Sequence, residues 1–181
     1  SPLPGTATSV SPEDHSGVDW AEGLAAYLSD HLREEQEGRG WQYRKRILTE
    51  YESYTGDEKD FALAAFKGGV DLASRAAGYG KAAMVFHMLK RLVGEGQFSA
   101  VLKRMVENQR SPKIFWGDIQ SAFEKASGKK LEWFFDQWVK EKGMASFEIT
   151  GISINPRGLQ YAVSFDVVQK DRTFIVDLPV A

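Results

Sequence analysis

The hydrophobic period of this chain changes once, and that change limits what the chain can fold into. Between Trp20 and Val139 apolar residues recur at helical spacing, whereas from Phe147 onward they alternate with polar ones. Trp20, Leu24, Tyr27, Leu28 and Leu32 predict one helix, stopped by Gly38 and Gly40; Trp41 to about Tyr51 predicts a second. Residues 53–78 are mixed, with several glycines, and predict short helices and loops. Tyr79 to Val93 is apolar almost all round, the mark of a buried helix. Phe98, Val101, Leu102, Met105 and Val106 make a stripe that ends at Ser111-Pro112. Trp116, Ile119 and Phe123 mark a helix ending near Gly128, and Leu131, Phe134, Phe135, Trp138 and Val139 one ending at Gly143.

Beyond Gly143, Phe147, Ile149 and Ile154 open a strand, and Asn155-Pro156-Arg157-Gly158 signals a turn. Leu159 to Val167 alternates, and Phe174, Val176, Leu178 and Val180 alternate again. Two or three strands are marginal alone. The predicted fold is therefore mainly α with a short antiparallel β segment. Residues 1–17, rich in Pro, Ser, Thr and Gly, read as a loop or ragged remnant; 18–145 form a helical lobe, and 146–181 are strands that begin another domain.

Composition removes whole classes of function. Lys and Arg number 23 against 25 Asp and Glu, a net charge of −2 that argues against a nucleic-acid or anionic-membrane binder. With no cysteine, disulfides, thiolate-held zinc and thiol catalysis are out. The three histidines, His15, His31 and His87, show neither HxxxH nor HExxH spacing, which makes each structural or solvated. No apolar run reaches the ~18 residues of a membrane span, and no basic-then-apolar leader is present. A soluble protein compatible with the cytoplasm is expected.

Two residues stand out. Glu22 lies opposite the Leu24, Tyr27 and Leu28 stripe, flanked by Ala25, Ala26 and Ser29. A lone helical glutamate is ordinarily solvated, but small neighbours would let another helix approach and aim the carboxylate between the two. Tyr79 sits between Gly78 and Gly80, either as a capping or core aromatic or as a side chain aimed into a cleft. Arg44, Lys45 and Arg46 read as a solvated helix face, and Trp133, Phe134, Phe135 and Trp138 as core.

Taken in order, the segments carry more. Trp20-Ala21-Glu22-Gly23-Leu24-Ala25-Ala26-Tyr27 resembles the WxxEGxAxY segment of the M1 zinc aminopeptidases. Tyr79-Gly80-Lys81-Ala82 with Met84-Val85-Phe86-His87-Met88-Leu89 is similar to their Y-x-K-G-x-x-V-L-x-M-L segment, and Gly94-Glu95-Gly96-Gln97-Phe98 to the turn that follows. Asp118 to Gly143, with Ser127-Gly128, Leu131, Phe134-Phe135 and Gln137-Trp138, is similar to their last catalytic-domain helices. The resemblance spans about residues 8–150. It implies the helical lobe of a thermolysin-like catalytic domain, followed by a β-sandwich-like domain. It also implies zinc held by two histidines of an HExxH helix and a glutamate on the next helix, which Glu22 matches. Tyr79 matches the tyrosine that donates to the oxyanion. The implied substrates are peptides with a free N-terminus, and the implied partner is an upstream lobe of the same polypeptide.

The departures are as informative. By the family spacing the second zinc histidine would fall at Leu3, and no HExxH occurs in these 181 residues. Ala21 stands where Asn is usual, Gly80 and Ala82 replace the Glu and Gly of YEKG, and Met144-Ala145 replace Gly-x-Pro. The chain by itself is expected to be inactive and to hold no catalytic zinc. A non-catalytic helical interaction module descended from the same fold is the alternative.

Overall fold

The periodic stretches form helices in the computed structural model of the chain, which describes residues 20–107, 114–170 and 174–178. Helix α1 (Trp20–Ala26) continues through a π-helical turn (Tyr27–His31) into α2 (Leu32–Gln36). Its buried face is Gly23, Tyr27 and His31, not the leucine stripe: Leu28 is 40% exposed. The i to i+5 bonding of a π turn rotates the face that later residues present, which period counting alone does not foresee.

Helix α3 (Gly40–Tyr54) is followed by the short pieces expected of the mixed stretch: α4 (Gly56–Lys59), a 3₁₀ turn (Leu63–Ala65) and α5 (Leu72–Ser74). A second π turn (Arg75–Gly80) leads into α6 (Lys81–Val93), which buries Ala82, Ala83, Val85, Phe86 and Leu89. Gly94, at φ +89°, ends it in a conformation other residues reach only at a cost. Helix α7 (Glu95–Glu107) buries Phe98 and Val101. The stop signal Ser111-Pro112 lies outside the described residues. Helix α8 (Trp116–Ser127) starts where the Asp118 carboxylate accepts from the Phe115 N–H at 2.8 Å, and it ends at Gly128. Helix α9 (Glu132–Phe135) runs into a third π turn (Asp136–Lys140).

Aromatic rings fill the space between these helices. Phe86 stacks on Trp116 at 5.5 Å, Trp116 meets Phe135 at 6.4 Å, and Phe98 lies 5.5 Å from Phe123. Two polar ties then lock distant parts of the lobe. The Trp20 indole N–H donates to the Ile114 carbonyl at 2.7 Å. Lys81, 1% exposed, donates from Nζ to the Glu141 carbonyl at 3.1 Å, so the start of α6 is fastened to the backbone just past the last π turn. A buried ammonium is costly unless it is bonded, so this link fixes α6 strongly.

The chain divides into two compact units, one ending at Lys142 and the other starting at Gly143. In the second unit β1 (Ser146–Arg157) and β2 (Gln160–Lys170) pair antiparallel. Ile149 faces Val167 and Ile154 faces Val163, with a bulge between Thr150 and Ser153. That one extra residue explains why the apolar positions of β1 switch from odd to even while those of β2 stay odd. The predicted turn at Asn155–Gly158 is displaced. Asn155 and Pro156 pair with Ala162 and Tyr161, and the chain reverses over Gly158 and Leu159, with Gly158 at φ +64°. The third alternating stretch does not form a strand over 174–178, and Val180 lies outside the described residues. At its start the Gln169 side chain holds the backbone instead: its Nε2 donates to the Phe174 carbonyl and its Oε1 accepts from the Phe174 N–H, both at 2.7 Å. A side-chain amide thus takes the backbone groups a ladder would use. Among the described residues no helix is long and apolar enough to cross a membrane.

Candidate active site

The site is made by a glycine contact. A Cβ on Gly23 would stand 2.3 Å from the Ala82 Cβ, so only glycine lets α1 cross α6 this closely. The crossing sets Glu22 and Ala26 beside Tyr79, Gly80 and Ala83, and together they line one cleft of about 770 Å³. Glu22 is exposed on that cleft among small residues. The two residues singled out in the sequence, far apart along the chain, therefore share one cavity.

The glycines beside Tyr79 serve close approach. A Cβ on Gly78 would come within 2.3 Å of Phe66 Cζ, and one on Gly80 within 3.3 Å of Ile47 Cγ2. Neither has a positive φ, so no sharp turn demands them. The Phe66 ring also meets the Tyr79 ring edge-on at 5.0 Å and 79°. Tyr79 is thus half-buried, with its ring held from one side and its turn pressed against α3. That it sits in a π turn was not visible in the sequence, and such turns are frequent where a side chain must be placed for function.

A second polar cluster lies apart from the cleft's carboxylate. His31 and His87 meet at 4.9 Å between ring centres, and Tyr27 stacks on His31 at 4.8 Å. Arg44 Nη1 lies 2.8 Å from His31 Nε2 and donates to Glu35 at 2.7 Å. Arg44 is 22% exposed. Placing it on a solvated face with Lys45 and Arg46 was therefore incorrect, because the buried imidazole and Glu35 draw it inward. Burial, then the Arg44 charge, pushes the His87 pKa down to about 4 and lowers that of His31. Burial followed by the Glu35 charge pushes Tyr27 up to about 12. Burial raises Glu35, but the hydrogen bond and charge of Arg44 outweigh it and hold the carboxyl below its usual range. His31, buried, and His87, half-buried, are thus both held toward the neutral form.

This cluster predicts acid sensitivity. Its histidines take up protons more readily in the unfolded chain, near 6.5, than in the folded one, near 4 for His87. Their stability contribution is present above pH 6.5 and is lost as pH falls toward 4. After discounting His87 for its exposure, the loss is about 1–2 kcal/mol, or roughly 2–8 °C in Tm, between pH 7 and 4.5. His87→Gln should flatten that slope in thermal melts. A wild-type Tm that stays level over this range would contradict the assignment.

Glu22 offers the carboxylate oxygen that zinc accepts in a His₂Glu site, in a cleft with room for further ligands, so it fits one place of three. Among the described residues no group of three or more His, Cys, Asp or Glu could hold a metal ion. The other donors would have to come from elsewhere.

The model of the peptidase family M1 domain matches residues 10–138, well over half of the chain, and the chain belongs to that family. It is also 32% identical over 65 residues to Aminopeptidase N of Lactococcus lactis subsp. lactis, a match covering 36% of this chain and 8% of that protein. No solved structure matches.

Proposed function

We propose that this chain is part of a zinc-dependent aminopeptidase that removes N-terminal residues from peptides, acting with an HExxH-bearing lobe of the same polypeptide. The observation that carries this reading is the meeting of Glu22 and Tyr79 in one cleft through the Gly23–Ala82 crossing. Glu22 would be the carboxylate ligand beside two histidines. When bound, zinc polarises the scissile carbonyl and acidifies the attacking water. The Tyr79 hydroxyl donates a hydrogen bond to the oxygen that becomes negative as the carbonyl carbon turns tetrahedral. The Phe66 ring beside it limits the tyrosine's motion, so little reorganisation is needed when that charge appears.

The experiment compares two proteins. The 181-residue chain, after dialysis, should retain no stoichiometric zinc and should not hydrolyse an aminoacyl anilide, because one carboxylate supplies too few ligands. A longer polypeptide containing an HExxH helix should hydrolyse it and lose activity to a chelator. Zinc surviving at one per chain in the short protein would mean that the ligands are misplaced. A longer polypeptide without activity would favour the interaction-module reading.

A further inference from the structure

We propose that Arg75 is a specificity residue that receives a substrate carboxylate on the leaving-group side of the scissile bond. The inference rests on the aminopeptidase reading and adds a substrate class to it: short peptides with a free C-terminus, or peptides with an acidic residue just beyond the bond cut.

Among the described residues two cations line the cleft, Arg46 and Arg75, and they differ in how they are engaged. Arg46 is already occupied. Its Nε lies 3.9 Å from the Glu50 carboxylate, and its guanidinium sits 4.9 Å over the Tyr43 ring. Arg75 has its backbone fixed, since its N–H donates to the Asp71 carbonyl at 3.0 Å, but its guanidinium makes no ion pair with any described residue. It stands on the same π turn as Tyr79, four residues earlier, and opens into the same cleft. An exposed arginine by itself signals nothing. One held on the turn that carries the proposed oxyanion donor, lining the same cavity and paired with no described residue, is placed to bind an anion.

The other charges in the cleft fix which anion and which side. Its acidic residues are Glu22, Asp30 and Glu50. Glu50 faces Arg46, Asp30 lies within electrostatic reach of Tyr43 on α3, and Glu22 is the proposed metal ligand. A substrate ammonium would be repelled by Arg75, so the free N-terminus cannot lie there. What can lie there is the portion of the peptide beyond the scissile carbonyl, and the anionic group a peptide carries there is a carboxylate. The planar guanidinium fork matches carboxylate geometry, which an ammonium does not.

Calorimetry on the full-length zinc protein tests this with a non-cleavable dipeptide analogue, its peptide bond reduced, as the free acid and as the C-terminal amide. The wild type should bind the acid roughly three- to tenfold more tightly than the amide, the scale of a partly exposed ion pair. Arg75→Gln should abolish that ratio, and Arg75→Lys should keep part of it. An analogue amide ending in Asp tells the two carboxylate sources apart: acid-like binding assigns the side chain, amide-like binding the C-terminus. The proposal is overturned if the wild type binds neither the acid nor the Asp-ending amide more tightly than the plain amide, or if the preference survives in Arg75→Gln. Hydrolysis of an aminoacyl anilide, which has no carboxylate, is scored separately. Its absence in the wild type refutes the peptidase reading, whereas the acid-to-amide ratio still decides Arg75.

Discussion

Replacing Tyr79 by phenylalanine in the zinc-loaded, full-length enzyme should lower kcat by roughly 10²–10³, the loss that accompanies removal of one oxyanion donor, with KM changed far less. The substitution removes one oxygen and leaves the ring. The edge-on contact with Phe66 at 5.0 Å and the close seating of Gly78 and Gly80 are therefore preserved, and fold and zinc content should not change. In the proposed mechanism the split arises because the hydroxyl is needed most when negative charge has developed on the carbonyl oxygen, not while the substrate binds. Near-normal turnover in Tyr79→Phe with zinc in place would make this tyrosine a packing residue.

Glu22→Gln should act on the metal instead. A neutral amide is a poor substitute for an anionic oxygen ligand, and the loss in zinc affinity should exceed the roughly 10–100-fold cost of removing an outer-shell partner. The fold should survive, because Glu22 is exposed and the Gly23–Ala82 contact beside it is untouched. Competition with a chelator of known affinity measures the loss, and circular dichroism confirms the fold. An unchanged zinc affinity would remove Glu22 from the ligand set.

The helices were legible in the sequence because burial imposes a period of 3.6, and the hairpin because two-residue alternation begins where that period ends, although its strands are exposed along nearly their whole length. Three details were not. The π turns at Tyr27–His31, Arg75–Gly80 and Asp136–Lys140 leave no residue signature, since they arise from how a helix fits its neighbours. For this reason the buried face of α1 was misplaced onto Leu28. The inward pull on Arg44 depends on Glu35 and His31 arriving beside it, which is a tertiary event. Residues 174–178 do not continue the sheet, and at Phe174 the Gln169 side chain takes both backbone groups, a tertiary contact that alternation does not reveal. Around the candidate site the glycines beside Tyr79 do record close approach, by Phe66 at Gly78 and Ile47 at Gly80. Beside Glu22 it is Gly23 that meets α6, whereas Ala25 and Ser29, the small neighbours the sequence pointed to, are exposed and Ala26 lines the cleft.

The central claim is that Glu22 and Tyr79 face one metal-assisted reaction centre. Diffraction from crystals of the full-length protein, collected at the zinc absorption edge, tests it most directly. The account predicts one anomalous peak per chain, about 2.0–2.2 Å from a Glu22 carboxylate oxygen, inside the cleft that Tyr79 lines. A zinc peak bound wholly by other residues, with Glu22 left in solvent, would contradict it.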